Sequence, residues 1–399
     1  MRVLITSSRM PFALDAIRKL GERGHDVFAC DSYEAAPGSH SKFLAGRTTT
    51  ASASEDPESF VADVERFAGA NAIELIVPMF EEVFYLAAQH QRISKVARLY
   101  APPFGTLAQV HDKGTFQELC ERLEIRTPRT VLAHDPAELR EAIGRFPRYF
   151  ARAAFSRGGV GLLTNTGPLA GALAVEDCRP TEANPWLVQE FVDGPMHCSY
   201  SCLHEAEVAS HMAYRAPRQW QHSTGIQFAS VDASDTLPIV ERLGSELSWE
   251  GQMSLDFVAT DDGLVMIECN PRPTDGVLLM SAEELERGLL SPRPETLLVE
   301  AGRSEQLDFA VFGQLFREPL DQMPRSIHDL VAVKGTDSGW HDALPKLYSF
   351  LAFAHHERIS LEERKGLFEA MSDGITWDGE PIPGLPERDA AYLAALTED

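Results

Sequence analysis

Positive charge is scarce in this chain: 36 Lys and Arg stand against 60 Asp and Glu over 399 residues, a formal net charge of −24. Such a surface repels a phosphate backbone or an anionic membrane, so neither nucleic acid nor membrane is an expected partner. Long hydrophobic runs are missing, and nothing approaches the roughly 20 apolar residues of a membrane span. The apolar start, Val3 to Thr6, is too short for a secretory h-region. Cysteine is sparse: Cys30, Cys120, Cys178, Cys198, Cys202 and Cys269 have neither metal-ligand nor disulfide-framework spacing, which fits a reducing cytoplasm. A dinucleotide fingerprint is absent as well. The first strand-to-helix turn reads Ser7-Ser8-Arg9-Met10-Pro11, not G-x-G-x-x-G, although Asp31 follows the second strand where a ribose-binding acid would sit. Asp31 otherwise reads as a capping or turn residue. Internal repeats and low-complexity tracts are not found.

What is present is concentrated between Gln252 and Gly276, QMSLDFVATDDGLVMIECNPRPTDG. Two apolar runs, MSLDFVA and LVMIEC, flank the turn signal Asp261-Asp262-Gly263, which predicts a β-hairpin buried on both faces. With the turn centred near Asp262, Asp256 and Glu268 lie opposite each other, and Asn270 shares their face because strand side chains repeat every two residues. Opposed like charges repel, and an unpaired buried carboxylate is expensive, so the pair calls for a cation. Oxygen donors without His or Cys point to Mg²⁺ or Mn²⁺. The alternative is an edge hairpin whose acids face water. The continuation Asn270-Pro271-Arg272-Pro273 ends the strand and sets a guanidinium two residues beyond the oxygen donors, where it suits phosphate.

Upstream, Ser156-Arg157-Gly158-Gly159-Val160-Gly161 is entered from a strand and left by Leu162-Leu163. Such a loop can bring several backbone N–H groups to one anion; a plain hairpin turn is the alternative. It is not a Walker A loop, because no Gly-Lys-Ser/Thr follows. This loop, followed by D-x11-E-x-N-P-R, resembles the ATP-grasp superfamily. The resemblance implies ATP with Mg²⁺ or Mn²⁺, with Asp256, Glu268 and Asn270 as metal ligands. The stretch HDKGTFQELCERLEIRTP is similar to the family's opening signature, which assigns Lys113 to the phosphates together with Ser156, Arg157, Gly158, Gly159 and Gly161. Arg152 stands where the family usually has a second Lys, and a planar fork does not replace a compact ammonium in a tight phosphate site. The segment Trp186 to Gly194 is similar to the family's hinge strand, making Gln189, Glu190, Phe191 and Val192 adenine-side residues. Met196 occupies the position of a ribose-binding Glu in many members. His197 matches a His of carboxylase-like members, and a strand-face His is its alternative.

The expected fold class is α/β and α+β. A Rossmann-like domain over residues 1–104 precedes a two-lobed ATP-grasp domain, with the first lobe at 105–190, the second at 191–305, and a C-terminal extension at 306–399. Glu81 and Glu82 could face an acceptor substrate or sit at a solvated helix start. Arg215, Arg218 and His222 are expected on a loop with Pro217 and Gly225, suiting a γ-phosphate or substrate carboxylate, or plain solvent. Trp340 and Asp342 suit packing, with closure over a substrate as the alternative. The resemblance implies an ATP-dependent carboxylate-amine ligase that works through an acyl phosphate and releases ADP, with Arg272, Arg215 and Arg218 stabilising the transferred group. Small-molecule acid and amine substrates and a homodimer are the expected partners. Two rivals remain: a non-ligating ATP-binding homologue, motivated by Arg152 and Met196, and a bicarbonate-activating carboxylase, motivated by His197.

Overall fold

The computed structural model describes residues 1–156, 161–220, 224–290, 295–315, 327–328, 333–335, 342–363 and 365–398. Five parallel strands open the chain: β1 (Arg2–Ile5), β2 (Asp26–Asp31), β3 (Leu44–Thr49), β4 (Leu75–Val77) and β5 (Arg98–Leu99), in the order β3-β2-β1-β4-β5. Val3, Leu4 and Ile5 of β1 are completely buried, as a strand covered on both faces by crossover helices must be. Strand order reverses between β1 and β4. A crevice at such a switch point, beyond the carboxyl ends of the strands, is where open α/β sheets place ligands. The segments leaving β1 and β4 are tied together there. Glu82 accepts the backbone N–H groups of Met79 at 3.0 Å and Phe80 at 3.2 Å, and the hydroxyl of Thr6. Asp31, beyond the sequence reading of it as a turn residue, accepts the Arg9 backbone N–H at 2.7 Å and its Nε at 2.8 Å.

Four antiparallel strands follow in a second sheet ordered β6-β9-β7-β8: β6 (Thr130–Ala133), β7 (Tyr149–Ala153), β8 (Leu163–Thr164) and β9 (Trp186–Glu190). The third sheet has eight strands: β10 (Met196–His204), β11 (Glu207–Trp220), β12 (Thr224–Val231), β13 (Gly251–Thr260), β14 (Gly263–Asn270), β15 (Leu297–Leu298), β16 (Ser304–Gln306) and β17 (Lys334–Gly335). Its path runs β14-β13-β10-β11-β12-β16-β17, and β15 pairs with β11. The chain is therefore mixed α/β, one parallel sheet followed by two largely antiparallel ones.

The HDKGTFQELCERLEIRTP stretch spans two helices, Phe104–His111 and Lys113–Arg122, because Asp112 leaves helical geometry and caps the second through the Thr115 N–H at 2.8 Å. Two local expectations change. Arg215 and Arg218 lie on β11, not on a loop; the ladder to β12 shifts register around Pro217, whose missing N–H cannot join it. Glu81 and Glu82 are buried, not solvated. His222 and Trp340 lie outside the described residues.

The C-terminal segment folds back onto the front of the chain. Trp377, completely buried, has its ring 4.5 Å from Phe84, 5.5 Å from Phe104 and 5.5 Å from Phe155. Its backbone N–H donates to Glu81 at 3.1 Å and its indole N–H to the Glu380 carbonyl at 2.8 Å. Asp342 meets Arg18, Ser41 and the Lys42 N–H, a packing role. Truncating an aromatic held on all sides removes its transfer free energy and leaves a cavity, so Trp377→Ala should cost about 3–5 kcal/mol. Urea unfolding, followed with and without that substitution, measures it.

Candidate active site

The β13–β14 hairpin brings the two acids together by a route the sequence does not show. Its turn is the two-residue link Asp261–Asp262 between the paired Thr260 and Gly263. Regular pairing from that turn would set Ile267 opposite Asp256 and leave Glu268 on the same face as Met266. A register shift between Asp256 and Phe257 makes Ile267 an extra residue, so Phe257 faces Met266 while Asp256 faces Glu268. The bulge moves Glu268 to the other face of the sheet, which is what such irregularities do beside functional sites. Asn270, opposite Ser254, donates its amide to Asp256 at 3.2 Å and to Glu268 at 3.3 Å.

The cation that partners Glu268 here is Arg152, on β7. Its guanidinium makes an ion pair with Glu268 and donates to the carbonyl of the bulged Ile267 at 3.1 Å. One planar group thus meets both the carboxylate and the carbonyl that the bulge frees. Lys113 is buried beside them, donating its ammonium to the carbonyls of Ala154, at 3.2 Å, and Ser156 at the mouth of the glycine-rich loop. The two acids respond oppositely. Burial and the charge of Glu268 raise the Asp256 carboxyl to about 7, whereas Arg152 and Lys113 outweigh burial at Glu268 and hold it below the ordinary carboxylate range.

Arg272 sits at the far end of the same hairpin, buried, its guanidinium 4.3 Å from the ring centroid of Phe80 and 3.3 Å from Glu81. Glu81 also receives Trp377, so the segment after β4, the hairpin and the C-terminal segment meet at one carboxylate. A hydroxyl chain fixes the backbone beyond Arg272: Tyr214 to Thr274 at 2.9 Å, Thr274 to Ser254 at 3.0 Å, and Ser254 to the Arg272 carbonyl at 2.9 Å. Asp275 follows, its carboxyl raised to about 7 by burial, against the opposing pull of Arg272. Asp256, Glu268, Asn270, Arg272, Thr274 and Asp275 line one cavity of about 350 Å³. Sequence reasoning missed Asp275, though it stands three residues beyond Arg272 in the same stretch.

Not every sequence candidate converges here. His197 and Arg215 lie on the other face of the sheet: Cys198 pairs with both Asp256 and Tyr214 and lines the cavity, so its neighbour points away, and Arg215 acts electrostatically on His197 there. Arg218 donates to Gln314 at 3.1 Å. Those placements do not fit the transferred-group role for Arg215 and Arg218, nor the nucleotide role for His197. Met196, on the Cys198 face, does line the cavity. On β9, Gln189 is buried and donates to Thr130 at 3.0 Å, and Glu190 accepts from Arg129 at 2.6 Å. Phe191 and Val192, half-buried, continue beyond β9. Gly194 lets the segment after β9 lie close against the hairpin, since an added Cβ would lie 2.0 Å from the Ala259 carbonyl. Ser156 is the last described residue before the loop and Gly161, at φ +67, the first after it; Arg157, Gly158 and Gly159 lie outside the described residues.

The donor set fits a divalent magnesium-type ion. Among the described residues no group of three or more His, Cys, Asp or Glu could hold a metal. Two carboxylates and an amide are nonetheless what Mg²⁺ uses when substrate phosphates and waters complete its shell.

With the geometry in place, the class is plain: the architecture is the ATP-grasp fold. No protein-family profile matches the sequence. The carbamoyl phosphate synthase large chain of Deinococcus radiodurans is 27% identical over 213 residues, 47% of this chain and 20% of that protein, so the likeness spans a fifth of the relative's length. N5-carboxyaminoimidazole synthetase of Staphylococcus aureus, solved with ADP, superposes with a TM-score of 0.60 at 10% identity, covering 81% of this chain and 86% of that one. The L-amino acid ligase of Bacillus licheniformis does so with a TM-score of 0.55 at 14% identity, covering 76% and 78%. Among the described residues no helix is long and apolar enough to cross a membrane.

The raised carboxyl of Asp256 gives a stability test. Its folded value lies above its unfolded one, so its contribution is complete at low pH and is lost as pH rises toward about 7. Glu268, shifted the other way, loses its contribution only as pH falls through the acid range. Between about pH 5 and pH 8 the first effect dominates. Without divalent ions, Asp256→Asn should therefore gain stability over the parent, by on the order of 1 kcal/mol at the alkaline end and less at the acid end. Millimolar Mg²⁺ should raise the melting temperature of the parent alone. An equal gain at both pH values, or equal Mg²⁺ stabilisation of both proteins, would refute the assignment.

Proposed function

We propose that the protein is an ADP-forming ligase that joins a carboxylate to an amine through an acyl phosphate. What supports this reading is the convergence of Asp256, Glu268, Asn270 and Arg272 on one cavity, beside Arg152 and Lys113, in a chain with the ATP-grasp fold. Phosphoryl transfer needs positioning and charge neutralisation more than a protein nucleophile, and the cavity offers those. ATP is the proposed phosphoryl donor, with the hinge Gln189 to Val192 toward adenine and Lys113, Arg152, Ser156 and the glycine loop toward the phosphates. A magnesium ion on Asp256, Glu268 and Asn270 would neutralise phosphate charge. A substrate carboxylate oxygen attacks the γ-phosphorus, the bond to the bridging oxygen breaks, and ADP leaves. Arg272, oriented by Glu81, holds the charge of the acyl phosphate. The amine lone pair then attacks the acyl carbon, the carbon–oxygen bond to phosphate breaks, and inorganic phosphate departs. The proton released by the amine goes to Asp275, whose raised carboxyl suits a general base near neutral pH.

In this reading residues 1–104, 105–190, 191–305 and 306–399 form four structural parts of a cytoplasmic, homodimeric enzyme acting on small molecules. A second reading, activation of bicarbonate, draws on relatives whose names denote carboxylation or carbamoyl phosphate synthesis. ADP release with and without added bicarbonate separates the two.

The ligase reading is tested with MgATP, a panel of carboxylic acids and hydroxylamine, which traps an acyl phosphate as a hydroxamate. Glu268→Ala should abolish hydroxamate and ADP. Asp275→Asn should leave the hydroxylamine reaction intact, since that nucleophile is already neutral, while slowing ligation of an alkylamine by about 10²–10⁴-fold. AMP as the product, or full activity in Glu268→Ala, contradicts the scheme.

A further inference from the structure

The cavity that receives the six polar groups of the hairpin wall is, on its other walls, chiefly apolar. Met10 and Phe80 come from the segments that leave β1 and β4, Tyr214 and Phe228 from β11 and β12, and Phe353 and Phe368 from the C-terminal helices Leu344–Glu363 and Leu367–Met371. Arg9, a cation on the same wall, is already held by Asp31 at close range through two nitrogens. The cavity therefore occupies the switch point of the parallel sheet, where a ligand is expected, and the C-terminal segment forms one of its walls. Among the described residues lining it, none belongs to β9, so it lies away from the hinge proposed for adenine.

Its size and lining decide what enters. About 350 Å³ holds roughly a dozen water-sized groups, several times what acetate, glycine or bicarbonate fills. Leaving such a space to water against aromatic and aliphatic walls forfeits the hydrophobic contribution those walls offer. The hairpin's six polar groups lie on one continuous piece of chain, Asp256 to Asp275, so a bound molecule presents its reacting end there and its body elsewhere.

We infer that the acid substrate carries a bulky apolar body, an aryl or branched alkyl group of about ten non-hydrogen atoms, which fills this chamber while its carboxylate meets Arg272 and the metal ligands. This rests on the ligase reading for the carboxylate end alone; the apolar body is argued from the chamber. The C-terminal segment, through Phe353 and Phe368, is thereby part of the specificity site.

The test uses the full chain and a homologous series from acetate to 4-phenylbutyrate. Calorimetry in the presence of a non-hydrolysable ATP analogue and Mg²⁺ reads binding without turnover. Affinity should rise about fourfold for each methylene buried, until the chamber is full. Filling the chamber with Ala352→Phe should weaken 4-phenylbutyrate tenfold or more and leave the short acids unchanged; Ser349→Phe, on the same wall, serves if the first variant does not fold. Flat affinity across the series, or indifference of both variants, overturns the chamber assignment whatever the turnover. Chain-length-dependent binding with no hydroxamate from any acid leaves the assignment standing and overturns the ligase reading instead.

Discussion

The site depends on one extra residue in one strand. Ile267 interrupts the regular ladder between β13 and β14, and only because of that does Glu268 share a face with Asp256. The cost is electrostatic: two carboxylates, both half-buried, directly opposed. Three local devices keep the apo protein folded around them. Arg152 neutralises Glu268, Asn270 bridges both acids with one amide, and Asp256 retains its proton up to about 7. The arrangement is poised, because each device can be displaced or shared when a divalent ion and phosphate oxygens arrive.

Much of this could be read from the chain, and the limits of that reading have physical causes. The hairpin, the strand that carries Arg152, the helices Pro136–Ile143 and Leu237–Leu247, and the first β-α-β unit follow from apolar periodicity and turn chemistry. Asp256 opposite Glu268 is also legible, from a turn centred near Asp262; the structure reaches the same pairing with a tighter turn and a bulge. β3, Leu44–Thr49, and β12, Thr224–Val231, were not anticipated, since β3 is half exposed and polar and β12 follows a Pro- and Gly-bearing stretch. His197 and Arg215 fall on the face away from the cavity because β10 and β11 run on as strands, the second through the stretch where a loop is expected, and strand parity then sets the face. Nothing local in the sequence indicates that Glu81, Arg272 and Trp377 meet; their contact is tertiary, across nearly the whole chain.

That contact ties together parts that a sequence reading separates. Glu81 lies at the mouth of the parallel sheet, Arg272 at the end of the metal hairpin, and Trp377 in the C-terminal segment, packed against Phe155 one residue before the loop begins at Ser156. Stability of the C-terminal segment and orientation of Arg272 therefore draw on the same carboxylate. A change that loosens Trp377 removes one donor from the carboxylate that meets Arg272, so packing far from the hairpin in sequence bears on the charge that faces the cavity.

Arg152 in place of a lysine then has a structural reason. An ammonium is a point charge with tetrahedral donors; held against Glu268, it has no fixed geometry for a second acceptor. A guanidinium presents parallel N–H groups in one plane, and here one goes to the carboxylate and another to the Ile267 carbonyl. That carbonyl needs a donor because the bulge removes it from the regular ladder. The same side chain therefore stabilises the irregularity that aims Glu268 and the charge that results from aiming it. A lysine there would serve the charge but leave the bulge less well supported, so the choice of arginine follows from how this particular hairpin is built.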